Sequence, residues 1–226
     1  MNNQNAGDLA GTATTVGDRV ARRGNALSQW LGRAILRVMG WTVQGPVADL
    51  PKMVMIGAPH TSNMDGVLAI ATLTAYRLRA GTMIKDTAFK GIMGPVLRWF
   101  GAIPINRRAA GGVVGASVGA FRDNEKLILL IAPEGTRSSA DEWKRGFHLI
   151  AASAGVPILP AAIDYVRKRI TFGPPVYTTD NFENDMQRIL DFYRDYSAPR
   201  HPGRASKPIC DTLGLTFQPR APGKGA

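Results

Sequence analysis

From Lys52 to Asp195 short apolar runs alternate with stretches of helical period, and this alternation constrains the fold more than any other feature of the chain. Residues 53–57, 82–85, 102–105, 127–132, 158–163 and 169–172 read as strands. The run 127–132, Leu-Ile-Leu-Leu-Ile-Ala, is the clearest buried one. Residues 63–79, 95–100, 112–123, 144–154 and 181–195 read as helices, with Pro95 at a favoured first helical position. Strands alternating with helices imply an α/β domain, a mostly parallel or mixed sheet flanked by helices. In such sheets ligand sites gather in the loops just beyond the strand C-termini.

The flanks are of a different character. Residues 1–18 are rich in Asn, Gly, Thr and Ala and read as a disordered tail. Residues 19–41 read as an amphipathic helix. Leu27, Trp30, Leu31, Ala34, Ile35 and Val38 share one face, Arg22, Arg23, Arg33 and Arg37 can face away, and Gly40 is a stop. Such a stripe has two uses. It packs on the sheet, or, with Trp30, Trp41 and the arginines, it lies in a membrane interface. From Ser197 the chain holds five Pro, scattered Lys and Arg and little periodicity, so 197–226 reads as a second tail, of which 213–217 could dock. That leaves a single domain over 19–196.

Charge and cysteine usage narrow the classes. A net charge of +11 suits an anionic partner, be it nucleic acid, anionic lipid or a small anion, without choosing among them. One cysteine, Cys210, allows no internal disulfide, and no Cys/His cluster surrounds it to suggest structural zinc. No apolar run reaches the roughly 18–20 residues of a membrane span, and the polar first 18 residues lack a signal-peptide core.

Four loops carry the candidate chemistry. The first, Ala58-Pro59-His60-Thr61-Ser62-Asn63-Met64-Asp65-Gly66, follows a strand. Three His and an ordinary share of Asp make one such spacing a chance event in roughly one of six sequences, so position must decide. Residues five apart on a regular helix diverge by about 140°. His60 therefore meets Asp65 only from the loop before the helix, where Ser62 and Asn63 are good N-caps. Asp65 would then hold one ring N–H and leave the other nitrogen as a base. Read blandly, the pair is a surface His near a first-turn Asp. The second loop, Gly101-Ala-Ile-Pro-Ile-Asn106-Arg107-Arg108, runs a strand into paired arginines, whose planar forks suit phosphate, or which form a solvated basic turn. The third, Ala132-Pro133-Glu134-Gly135-Thr136-Arg137-Ser138, opens from the most buried strand. Gly135 permits a left-handed backbone, Arg137 offers an anion contact, and Glu134 pairs with an arginine or orients a ligand. The fourth, Gly155-Val-Pro157-Ile-Leu-Pro160, builds a rigid apolar wall or simply fixes a strand entry.

Taken together and in this order, across residues 57–160, the four loops resemble the blocks of the glycerolipid acyltransferase family, the bacterial lysophosphatidic acid acyltransferases and their relatives. Those blocks run Asn-His-x4-Asp, Gly-x-x-x-Ile-x-Arg, Glu-Gly-Thr-Arg-Ser and Val-Pro-x-x-Pro; the third, at residues 134–138, matches fully. Pro59 stands in place of the usual Asn, and Met64 where an aromatic often precedes the Asp. The resemblance implies an O-acyltransferase in which His60 deprotonates an acceptor hydroxyl and Asp65 orients it. It implies that Arg107 and Arg108, with Glu134, Gly135, Thr136 and Arg137, hold the acceptor phosphate; Lys85, closing the second strand, joins this substrate-binding set. The segment 157–160 would support the acyl-donor side. The implied reaction moves a fatty acyl group from acyl-CoA or acyl-carrier protein to the sn-2 hydroxyl of 1-acylglycerol-3-phosphate, in phospholipid biosynthesis. No resident metal or cofactor is implied, and the place of work is the anionic cytoplasmic face of the cell membrane, peripherally bound. Acylation of another lipid or small amphiphile is the nearest alternative.

Two other classes are weighed. Gly115-Ala-Ser117-Val-Gly119 fits the Gly-x-Ser-x-Gly pattern of serine hydrolases, although only Val113-Val114 precedes it where a strand is needed. A nucleic-acid binder suits the charge, but no helix-turn-helix, zinc or RNA-binding motif accompanies it.

Overall fold

A computed structural model describes residues 13–92, 94–95, 102–105 and 111–220. Beyond Pro95, the helix expected over 95–100 falls outside them, as do Arg107 and Arg108. Seven strands form one sheet: β1 (Thr42–Gln44), β2 (Lys52–Ala58), β3 (Ala80–Lys85), β4 (Ile103–Ile105), β5 (Leu127–Ile131), β6 (Ile158–Asp164) and β7 (Arg169–Phe172), in the order β1-β7-β6-β2-β5-β3-β4. β6, β2, β5, β3 and β4 run parallel, and β7 turns back antiparallel on β6. The sheet is therefore mixed, and five strands deliver their C-terminal ends to one edge.

The central strands are apolar on both faces because both are covered. In β2, Val54, Ile56 and Ala58 face α3 (Gly112–Asp123), α4 (Gly146–Ala154), α5 (Phe182–Tyr196) and α6 (Lys207–Leu213), while Met53 and Met55 face the N-terminal segment and α2 (Asn63–Ala75). The alternation is the period of two of a strand.

α1 (Ala26–Val38) starts later than residue 19. Asn25 caps it, its side chain accepting the Ser28 amide while the Ser28 hydroxyl takes the Asn25 amide. Val20 and Ala21, ahead of the cap, are buried beneath the sheet instead. α1 packs on α2 through Gly32 and Leu36. A Cβ on Gly32 would lie 2.5 Å from the Ala75 amide nitrogen, so only glycine allows the approach. That contact turns Leu27, Trp30, Leu31 and Val38 outward, exposed by 50–87%.

Three expectations are corrected. α2 ends at Ala75 rather than near residue 79: Arg77 takes φ +56, Leu78 bonds back to Leu73, and the chain leaves to start β3 at Ala80. β1 is an added strand of three residues, too short to show a period. The segment from Ser197 is not a loose tail as far as Arg220. α6 buries Ile209 and Cys210, Leu213, Leu215 and Phe217 pack on the same cluster, and Ser206 accepts the Trp143 indole N–H at 2.9 Å. At the other terminus, Ala13 and Val16 already bridge to Gln44 and Val47.

Candidate active site

β2 ends at Ala58, and the peptide into Pro59 is cis. The chain crosses the sheet edge through His60 and Thr61 and enters α2 with Ser62 as N-cap. Asp65 is the third residue of that helix, and its carboxylate folds back over the loop. Oδ2 accepts the Thr61 and Ser62 amides at 2.7 and 2.8 Å and lies 3.2 Å from His60 Nδ1. Oδ1 accepts the Ser62 hydroxyl at 2.8 Å and the Tyr165 phenol at 2.5 Å. His60 and Asp65 thus meet as the spacing requires, from a loop rather than along a helix. Asp65 is 1% exposed and His60 27%. Burial pushes the carboxyl up, but the bonds from His60, Tyr165 and Ser62 outweigh it and bring it down to about 2. An anion fixed on Nδ1 favours the tautomer protonated there, which leaves Nε2 as the basic nitrogen. Nε2 has no hydrogen-bond partner among the described residues.

β5 neighbours β2 and opens into the loop carrying residues 133–138. Gly135 takes φ +64, the left-handed turn expected of it, with the Lys144 side chain closing the space a Cβ would need. Glu134 is turned inward and 3% exposed. Its Oε1 accepts the His60 amide at 3.1 Å, and its Oε2 is buried with no partner among the described residues, which do not include Arg107 and Arg108. Burial raises this carboxyl from 4.5 to about 7, with the Asp65 charge adding to the rise. Arg137 reaches back to the Asn63 side chain at the start of α2, so the third loop is tied to the first. The Thr136 hydroxyl accepts the Ser138 amide, inside its own turn. Lys85 closes β3, one strand further along the same edge. Arg107 and Arg108 follow β4 in sequence and lie outside the described residues.

The fourth loop sits elsewhere. Pro157 precedes β6 and Pro160 pairs with Ile56 in mid-sheet. At about 3.3 Å per residue, Pro160 lies roughly 16 Å back along the strand from Tyr165, so it enters the sheet rather than walling the His60 loop. Ser117 is corrected as a nucleophile: it is 1% exposed inside α3, its hydroxyl bonded to the Val113 carbonyl at 2.7 Å. Among the described residues no three His, Cys, Asp or Glu converge as a metal site, and no helix is long and apolar enough to cross a membrane.

Two partners of Asp65 escape a linear reading. The Ser62 hydroxyl belongs to the N-cap, and Tyr165 comes from 100 residues away. The register carries the signal for Tyr165: Ala58 pairs with Ala162, so the residues just past β2 meet those just past β6.

A family model described as acyltransferase matches residues 43–164. Among curated proteins none matches the chain. Among solved structures, the 1-acyl-sn-glycerophosphate (LPA) acyltransferase PlsC from Thermotoga maritima is similar, with a TM-score of 0.53 and 16% identity over 75% of this chain and 76% of that one. At such identity the likeness speaks for the fold. The matched family segment covers more than half of the 226 residues and holds His60, Asp65 and the whole of 134–138, and by it this chain belongs to the acyltransferase family.

Proposed function

We propose that the chain transfers a fatty acyl group from an acyl thioester, of CoA or of acyl-carrier protein, to the sn-2 hydroxyl of 1-acylglycerol-3-phosphate. The observation that carries the reading is the contact of His60 with a buried, hydrogen-bonded Asp65, with Nε2 left open at the sheet edge. Nε2 takes the hydroxyl proton as the oxygen attacks the thioester carbonyl. The tetrahedral intermediate collapses with loss of the thiolate, and the imidazolium returns the proton to sulfur. Asp65 stabilises the imidazolium and holds the ring. Glu134 acts one step back, fixing the His60 backbone. These proton and acyl transfers balance without a resident cofactor.

The phosphate of the acceptor is assigned to Arg107, with Arg108, Arg137 and Lys85 around it. The strand order supports this assignment, because β4, which Arg107 follows in sequence, runs parallel to β2 and ends on the same edge of the sheet. The outward face of α1 supports peripheral binding to an anionic membrane surface, because Leu27, Trp30, Leu31 and Val38 are exposed there and Arg33 and Arg37 stand on the same helix; the cytoplasmic side is part of the same proposal.

The test is acceptor discrimination. A charge-assisted contact is worth roughly 1.5–3 kcal/mol, so Arg107→Ala should lower kcat/KM for lysophosphatidic acid by about 10–150-fold. Arg107→Lys should recover only part, since an ammonium lacks the bidentate fork. A neutral monoacylglycerol should be indifferent to both. Equal losses for phosphorylated and neutral acceptors would make Arg107 structural, and a wild-type preference for the neutral acceptor would sink the phosphate assignment.

A further inference from the structure

Asp65 is held by more donors than a His–Asp pair needs, and the shortest bond comes from Tyr165. Tyr165 follows the last residue of β6 and stands one position past the segment matched by the family model. Its place is fixed from several sides. Its amide bonds the Ala198 carbonyl at 3.0 Å, and the Ala198 amide bonds Ile163, so the C-terminal segment runs alongside it. The Asp164 carboxylate caps the following turn through the Val166 and Arg167 amides. The ring meets the edge of Trp41, with centroids 4.9 Å apart, and the Arg200 guanidinium lies 5.9 Å from its centre. A phenol held this firmly is not an accidental neighbour of the carboxylate.

Resting on the acyl-transfer reading of His60, we propose that Tyr165 is a positioning residue that sets the strength of Asp65 as partner of the base. Its O–H draws charge from Oδ1 and shields it from water. The charged and titratable groups around the pair are Glu134 beneath the His60 amide, Arg137 through Asn63, and Arg200 over the Tyr165 ring; His201 touches the loop through its amide, at the Thr61 hydroxyl. None of these four bonds Asp65 through its side chain; the side-chain donors to the carboxylate are His60, Ser62 and Tyr165, and Tyr165 makes the shortest bond. Without it the carboxylate becomes a stronger acceptor and holds the protonated imidazole more tightly, so the base is freed only at higher pH.

The experiment compares full-length wild type with Tyr165→Phe, which keeps the ring and its Trp41 contact. Three readouts are taken: steady-state acyl transfer against pH, the unfolding midpoint, and the His60 Nδ1–H resonance by NMR, assigned with a His60→Gln variant. Expected are an acid limb moved to higher pH, a displaced Nδ1–H resonance, KM values for thioester and acceptor within about twofold, and a protein that still folds, its midpoint lowered as the loss of one donor to a buried carboxylate requires. Site-specific 3-fluorotyrosine, a stronger donor of the same shape, should move the acid limb the other way. A Phe variant that keeps the wild-type acid limb and resonance overturns the proposal and leaves Tyr165 as packing. Should wild type transfer no acyl group to any acceptor, the acyl-transfer reading fails, while the resonance still shows whether Tyr165 acts on the pair. Should the Phe variant unfold, the fluorinated protein decides alone.

Discussion

Replacing Glu134 with Gln removes a buried charge and keeps the acceptor for the His60 amide. Folded, the carboxyl holds its proton up to about pH 7, because burial and the nearby Asp65 charge oppose ionisation. Unfolded, it ionises near 4.5. The folded state therefore binds the proton more tightly, and stability falls as pH rises through that window. Each pH unit costs about 1.4 kcal/mol, so wild type should lose about 3 kcal/mol to this group once the pH is above 7. Gln does not titrate. Between pH 5 and 8 the stability of Glu134→Gln relative to wild type should rise by about 2–3 kcal/mol, or on the order of 5–10 °C in midpoint for a chain of this length. Thermal unfolding of both proteins at pH 5, 6, 7 and 8 measures this, and other titrating groups cancel in the difference. A difference in midpoint that stays flat across the series would refute the reasoning, since it would mean that Glu134 ionises folded as it does unfolded.

Two further outcomes follow from the same geometry. Substituting Trp30, Leu31 and Ile35 together by Ser should weaken binding to anionic liposomes and leave folding intact, because Trp30 and Leu31 are at least half exposed and α1 is held through Gly32 and Leu36; co-sedimentation checks the first and circular dichroism the second, and added salt should weaken anionic vesicles most. Asp185→Ala strands His148, whose Nε2 lies 2.9 Å away, and both donors of Thr179, so it should cost about 3–5 kcal/mol. Burial raises the Asp185 carboxyl, but the bonds from Thr179 and His148 win and hold it below 3.8. The part of that stability owed to the charge is present above 3.8 and lost as the pH falls through the lower folded value, so denaturant midpoints of variant and wild type should draw closer as the pH falls past 3.8.

What could be read along the chain was local. The Leu-Ile-Leu-Leu-Ile run is β5, the turn at Gly135 is left-handed, and the His60 loop reaches Asp65 because Ser62 starts the helix where a cap residue should. What escaped depends on the third dimension. The end of α2 is set by the buried Leu78 returning to Leu73, and the outward turn of the α1 stripe by one glycine against a neighbouring backbone. α6 has seven residues, too few to display a helical period, and its anchors Ile209 and Cys210 sit among prolines. Tyr165 needed the β2–β6 register, and Glu134 needed the knowledge that it points inward. The His60 loop and the turn at Gly135 were legible; which side chains hold them in place was not.

The central claim is that His60 is the base of an acyl transfer onto a lipid hydroxyl. It is tested most directly by measuring phosphatidic acid formed from lysophosphatidic acid and an acyl thioester, with wild type and His60→Ala matched for folding by their unfolding midpoints. General-base catalysis contributes about 10²–10⁴-fold, so the variant should lose at least about 10²-fold in turnover at an unchanged midpoint. A folded His60→Ala protein that turns over at the wild-type rate would contradict the account.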